Sequence, residues 1–223
     1  MTTNKKIRVC NLFAGIGGNR KNWTDVEVTA VELDENIAAI YQDFFPNDKV
    51  IIGDAEDFLR KHYKDFDFIW ASPPCQSHSQ IRFMASKNGD YDAVLPNMSL
   101  WSHIIFLQHF PNCKWVVENV RPYYSPLVTP TCEIDRHLFW SNFFISSYKQ
   151  PKEARRHNHI KANDTIFKVN LDKYQISKKK VQILRNMVNP ELGKHIFDCA
   201  FNGKAQTLFE SQEMIQDNLF AEV

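Results

Sequence analysis

What this chain lacks narrows it quickly. No stretch reaches the roughly 18 consecutive apolar residues that a membrane span needs, and the polar residues 1–6 carry no apolar signal region, so a cytoplasmic protein, neither membrane-bound nor secreted, is expected. The five cysteines, Cys10, Cys75, Cys113, Cys132 and Cys199, are odd in number, widely spaced and without a Cys-x-x-Cys pair. That pattern argues against a disulfide scaffold and against a structural zinc. Net charge is nearly absent, at +1, and there is no internal repeat or low-complexity linker. What remains is 223 residues, 43% hydrophobic, enough for one sizeable core with at most a small appendage.

The near-zero charge hides a local excess. Residues 149–180 hold ten Lys and Arg against three acids. A concentration of that kind suits a polyanion-facing segment, with a solvated charged loop as the other reading. His157 and His159 beside Arg155 and Arg156 lack matching metal ligands, so phosphate contact is the expectation there and no metal is expected.

The most informative local feature is Pro73-Pro74-Cys75-Gln76, directly after the apolar run 66–71. Proline fixes φ and keeps the residue before it out of the α region, so this strand cannot run on into a helix and Cys75 is presented on a stiff loop. A second apolar strand from about Cys113 ends in Val116-Val117-Glu118-Asn119-Val120 and brings a carboxylate to a strand tip. Thiol and carboxylate together make a candidate nucleophile and acid.

Around that pair the chain alternates strand and helix. Residues 7–13 read as a strand, followed by a glycine turn and a helix to about Trp23; 26–33 as a strand, 35–45 as a helix, 50–52 as a strand, 54–63 as a helix, 98–110 as a helix and 115–117 as a strand. Such alternation predicts an α/β fold with a doubly wound, mostly parallel sheet, whose ligands lie at the carboxyl ends of the strands. The glycine turn, Glu32, Asp54, Cys75 and Glu118 all fall at such ends. The pattern becomes shorter and more β-like from about Leu138, and residues 181–201 read as one returning helix with Asn186 and Pro190 near its start.

The turn Phe13-Ala14-Gly15-Ile16-Gly17-Gly18 places Arg20 where a dinucleotide fingerprint needs its third glycine. Glu32 is placed to accept from two ribose hydroxyls, Asp54 from an adenine amino group, and the helix after Gly18 would face a carboxylate in place of a pyrophosphate. S-adenosylmethionine is thus the expected cofactor, with a plain tight turn as the alternative reading of the glycines.

The ordered set Asn11-Leu12-Phe13-Ala14-Gly15-Ile16-Gly17-Gly18, Val31-Glu32-Leu33-Asp34, Gly53-Asp54, Pro73-Pro74-Cys75-Gln76-Ser77-His78-Ser79 and Glu118-Asn119-Val120 resembles the DNA (cytosine-5) methyltransferases over roughly the first 120 residues. Arg136-His137-Leu138-Phe139-Trp140-Ser141-Asn142 looks like the element that closes their catalytic pocket, and Asn186-Met187-Val188-Asn189-Pro190 like their last motif, which returns to the cofactor. The resemblance implies a Rossmann-like S-adenosylmethionine-dependent fold. Catalysis would fall to Cys75 and Glu118, with either Arg136 or His137 at the flipped base. Phe13, Gly15, Gly17, Glu32, Leu33, Asp54, Ala55, Pro74, Asn186 and Met187 would hold the cofactor, and Ser77, Ser79, Arg155, Arg156, His157 and Lys161 would contact double-stranded DNA. His78 stands where the family usually has an aromatic residue, and is read as lining the pocket, with lowering of the thiol pKa as the other reading.

The resemblance also divides the chain into a catalytic and cofactor-binding core, 1–142; a small basic recognition insert, 143–180; a returning helix, 181–205; and a tail, 206–223. So small an insert suits a recognition sequence of about two to four base pairs. The enzyme would act in the cytoplasm, on the nucleoid of a bacterial host. Gln216, Leu219 and Phe220 in the tail look like a short peptide that docks on a sliding clamp, or else an amphipathic end that folds back on the core. An RNA (tRNA) cytosine methyltransferase and a non-catalytic DNA-binding relative remain alternatives at this level.

Overall fold

The computed structural model describes residues 5–149, 170–174, 176 and 180–201. Its seven-stranded sheet contains β1 (Ile7–Leu12), β2 (Val26–Glu32), β3 (Lys49–Ile52), β4 (Phe68–Ala71), β5 (Lys114–Val120), β6 (Cys132–Ile134) and β7 (His137–Ser141). The strand order is β3-β2-β1-β4-β5-β7-β6. The first five strands are parallel, and the β6–β7 hairpin adds an antiparallel edge beside β5. β4 is buried on both faces, as its unbroken apolar run requires of a central parallel strand.

Six helices complete the described fold: α1 (Glu35–Phe44), α2 (Ala55–His62), α3 (Gln80–Lys87), α4 (Ser99–His109), α5 (Lys180–Asn186) and α6 (Pro190–Phe201). Asp34 starts α1 by accepting from the Asn36 and Ile37 amides, and Asp54 starts α2 by accepting from Asp57. Because side chains alternate along each strand, Val9, Phe68, Trp70, Val116 and Phe139 pack with α6 on one face. Cys10, Leu12, Ile69, Ala71 and Val117 pack with α2 and α4 on the other. The sheet is therefore doubly wound, as expected.

Two expectations need correction. Residues 13–24 form no helix but a series of turns, held by bonds from Gly17 to Ala14, Arg20 to Gly17 and Trp23 to Arg20. Gly15 and Gly17, at φ +55° and +78°, form the expected turn, but after Gly18 the amides of Arg20, Lys21 and Trp23 reach back three residues, without the four-residue ladder of an α-helix. There is accordingly no helix dipole after Gly18. The single returning helix over 181–201 is two helices: Pro190 has no amide proton for a continuous helix, and Asn189 caps α6 by accepting from Glu191. Arg155, Arg156, His157, Lys161 and the tail residues Gln216, Leu219 and Phe220 lie outside the described residues.

Candidate active site

The site forms where β1, β2, β4 and β5 end. After β1 the chain turns at Phe13, itself at φ +55°, and the Gly15 amide donates to Glu32 Oε2 at 2.9 Å. Glu32 Oε1 accepts from the Leu33 and Asp34 amides at 2.9 and 3.0 Å. This carboxylate thus locks the end of β2 to the glycine turn. A Cβ on Gly17 would lie 2.3 Å from the Phe45 ring, and one on Gly18 would lie 2.1 Å from Met187 Cγ. These two glycines let α1 and the segment after α5 close against the turn, which places Met187 against Gly18.

A Cβ on Gly15 would meet nothing within 4 Å, Leu33 stands 70% exposed, and Asp54 is exposed at the start of α2 with Ala55 buried behind it. Glu32 keeps acceptor capacity on Oε2. An open backbone turn, an apolar side chain and spare carboxylate acceptors fit a nucleoside with a ribose and a flat base. Asn186 is exposed beside this region, and Phe13 packs edge-on against His103.

Across the strand ends, the loop after β4 holds Pro73 buried, Pro74 exposed and Cys75 half-buried. The Cys75 carbonyl accepts from the His78 and Ser79 amides, both at 3.0 Å, which curls the loop into α3. Asn119 Nδ2 donates to the Pro73 carbonyl at 2.8 Å and ties the loop to β5. The family pattern includes Asn119, but this anchoring role was not read from the sequence. Its position in strand alternation, on the face opposite Glu118, is the signal that could have suggested it.

Glu118 is buried two residues before the end of β5, inside the strand and not at its tip. Burial lifts its carboxyl to about 7, although the Ser72 hydroxyl and the Arg136 guanidinium pull it down. Burial also pushes the Cys75 thiol up, and Glu118 adds to that; the Cys75 amide and Arg136 act the other way. The two groups are therefore coupled. A protonated Glu118 removes the negative charge that opposes a thiolate at Cys75. His137 Nε2 lies 3.6 Å from Glu118 Oε1 with both side chains largely buried. Arg136 is exposed in the β6–β7 turn.

His78 is buried against Tyr124, whose hydroxyl is 2.6 Å from Nδ1, and against the Trp101 ring. Burial keeps its imidazole below the ordinary range, which fits the packing role read for it. Ser77 Oγ accepts from the Asn97 amide at 2.9 Å, and Ser79 pairs with Pro122. Together they close the neck of an excursion over residues 80–96. α3, which the sequence did not suggest, lies in it and buries none of its residues. Ile81, Met84, Tyr91, Val94 and Leu95 are exposed along this excursion, interspersed with Arg82 and Lys87.

The family model for C-5 cytosine-specific DNA methylases matches residues 7–124, just over half of the chain. The Type II methyltransferase M1.HgaI of Avibacterium volantium is 28% identical over 218 residues, covering 86% of this chain and 59% of that relative. The Type II methyltransferase M.Bsp6I of Bacillus sp. (strain RFL6) is 30% identical over 116 residues, covering 48% of this chain and 36% of its own length. This chain thus spans less than two thirds of either. A crystal structure of a Spodoptera frugiperda DNMT2 mutant superposes with a TM-score of 0.37 and 25% identity over 52% of this chain and 36% of that one. Among the described residues, no helix is long and apolar enough to cross a membrane.

Proposed function

This chain belongs to the C-5 cytosine-specific DNA methylase family, and from that premise we propose that it methylates carbon 5 of cytosine in double-stranded DNA through a covalent adduct at Cys75. The observation that carries the reading is the convergence of a half-buried thiol and a buried carboxyl lifted to about 7, on two strand ends tied together by the Asn119–Pro73 bond.

Carbon 5 of cytosine is a poor nucleophile until the ring is made electron-rich. The Cys75 thiolate adds to carbon 6, the carbon 5–carbon 6 π pair shifts to carbon 4–carbon 5 as the carbon 4–N3 pair moves onto N3, and Glu118 gives its proton to N3. S-adenosylmethionine, when bound, supplies the electrophilic methyl group that carbon 5 takes up. Loss of the carbon 5 proton to solvent water, with its bonding pair expelling the thiolate from carbon 6, and return of the N3 proton to Glu118 restore the aromatic ring and the enzyme. Glu32, Leu33, Asp54 and the turn at Gly15 would hold the cofactor, with Met187 closing from below. The target base must leave the helical stack to reach Cys75. The excursion over residues 80–96 stands beside that thiol, and its exposed apolar side chains with Arg82 and Lys87 suit contact with a distorted duplex. The basic segment 149–180 would supply salt-dependent phosphate contacts and read a short sequence. Gln216, Leu219 and Phe220 are kept as a proposed clamp-docking peptide. A clamp pull-down unchanged by replacing Leu219 and Phe220 with alanine removes that idea.

Bisulfite sequencing of plasmid DNA from a methylation-free host expressing the chain, with Cys75→Ala beside it, tests the reading. Protected cytosines in a short context that vanish in the variant support reaction, nucleophile and specificity together. Protection of host RNA with none on DNA would replace the substrate.

A further inference from the structure

Arg136 and His137 are neighbours in sequence but serve different parts of the site. His137 opens β7 and pairs with Val120, while Glu118 pairs with Phe139. Residues two apart on a strand share a face, so His137 is the diagonal cross-strand neighbour of Glu118, consistent with the 3.6 Å between Nε2 and Oε1. Arg136 is exposed in the adjoining turn. Its Nη2 donates to the Arg185 carbonyl at 3.1 Å, in the last turn of α5. The residues after Arg185 are Asn186 and Met187, and a Cβ on Gly18 would strike Met187.

We propose that the two residues divide the work: His137 is the positioning partner of the Glu118 acid, and Arg136 is the clasp that sets the segment 186–187 against the cofactor turn. This rests on the methyltransferase reading above. When Glu118 gives its proton to N3 it becomes a buried carboxylate, and a charge in that setting needs a partner. The 3.6 Å separation is too long for a hydrogen bond but well within the range at which a charge is felt in a low-dielectric pocket. An imidazole there can take up positive charge as the carboxylate forms. The other charged or titratable groups around the pair are Cys75 on its loop, Arg136 and Asp135 in the turn, Arg185 on α5, and the Arg121–Glu133 ion pair between the ends of β5 and β6. Of these, Arg136 also acts on Glu118 through its field, yet its hydrogen bond goes to a carbonyl on another element.

Two measurements on the full chain separate the roles: equilibrium titration with S-adenosylhomocysteine, and single-turnover methylation of DNA across pH. Arg136→Ala should weaken S-adenosylhomocysteine binding about tenfold, the loss of one charge-assisted hydrogen bond. Arg136→Lys, which keeps the charge and loses the fork, should weaken binding while leaving the alkaline limb of the rate profile in place. His137→Gln should bind S-adenosylhomocysteine within about twofold of wild type and slow the single-turnover rate about ten- to a hundredfold. Its alkaline limb should move to higher pH, because the carboxylate has lost a cation that favours it, and His137→Arg should bring the limb back. The division is overturned if His137→Gln weakens binding without moving the limb, or if the Arg136 variants bind normally. His137→Asn is read in the same way if His137→Gln does not fold. Wild-type protein that binds S-adenosylhomocysteine but methylates no DNA would sink the substrate assignment and leave the Arg136 test standing. Wild type that binds none would sink the cofactor reading itself.

Discussion

Glu32 and Glu118 both sit near the carboxyl ends of strands in one sheet, and their surroundings are opposite. Glu32 is half-exposed and accepts three backbone N–H groups, from Gly15, Leu33 and Asp34. Glu118 is buried, with the Ser72 hydroxyl, the Arg136 guanidinium and the His137 imidazole nearby, and its carboxyl rises to about 7. Burial favours the neutral form of a carboxylate, which is what sets Glu118 apart. The same residue type can therefore serve as a fixed acceptor that shapes a turn or as an acid ready to give up a proton near neutral pH. Strand ends alone do not decide which.

The comparison breaks most sharply on the reaction rate. Cys75→Ala should reduce methylation to background and Glu118→Gln should slow single-turnover methylation by about 10² to 10⁴-fold, as expected for loss of a general acid, whereas Glu32→Gln should act mainly through cofactor affinity. Equal rate losses in the two glutamate variants would erase the distinction.

Stability against pH sharpens it further. Burial raises Glu118 to about 7 in the fold, above the ordinary 4.5 it has when unfolded. The stability held by its neutral form is thus full below pH 4.5 and is lost as pH rises through 7. Glu118→Gln should then stabilise the fold at pH 8, by on the order of 3 kcal/mol, with the gain shrinking toward pH 5. Thermal denaturation at the two pH values measures it. A Tm difference independent of pH would mean that the carboxyl is not the cause.

Glu32→Ala should go the other way and cost about 2–3 kcal/mol by leaving turn amides without their acceptor. A variant with wild-type Tm would show that solvent replaces the carboxylate at no cost. The smallest effect is expected at Asp54→Ala, about 1 kcal/mol, because an exposed helix cap loses one bond to the Asp57 amide. A larger loss in cofactor affinity than in stability would mark Asp54 as a ligand as well as a cap.

Much of this was legible in the chain. The parallel strands and the stiff loop at Cys75 follow from local rules, since apolar runs and prolines act on their neighbours, whereas the α1 and α2 caps at Asp34 and Asp54 went unread. The segment after Gly18 departs from the expected helix because amphipathic spacing is a local signal, while the chain there packs against Met187 and Gly193, far along the sequence. The break at Pro190 was visible in sequence, but the competing apolar periodicity on either side read as one helix. α3 gave no signal because it buries nothing, and apolar periodicity reports burial.

The sequence by itself determined which residue types stand at the strand ends, in what order, and that a thiol and a carboxylate would share one edge of a doubly wound sheet. Only the tertiary structure decided how they are used. The Glu118 carboxyl rises to about 7 because the folded sheet buries it, Asn119 holds the Cys75 loop across a gap of 46 residues, and Arg136 and His137 part ways because strand pairing turns one toward Glu118 while the other reaches α5. Proton affinity and position depend on what lies within a few ångströms in space, and the chain brings those neighbours from far along its length.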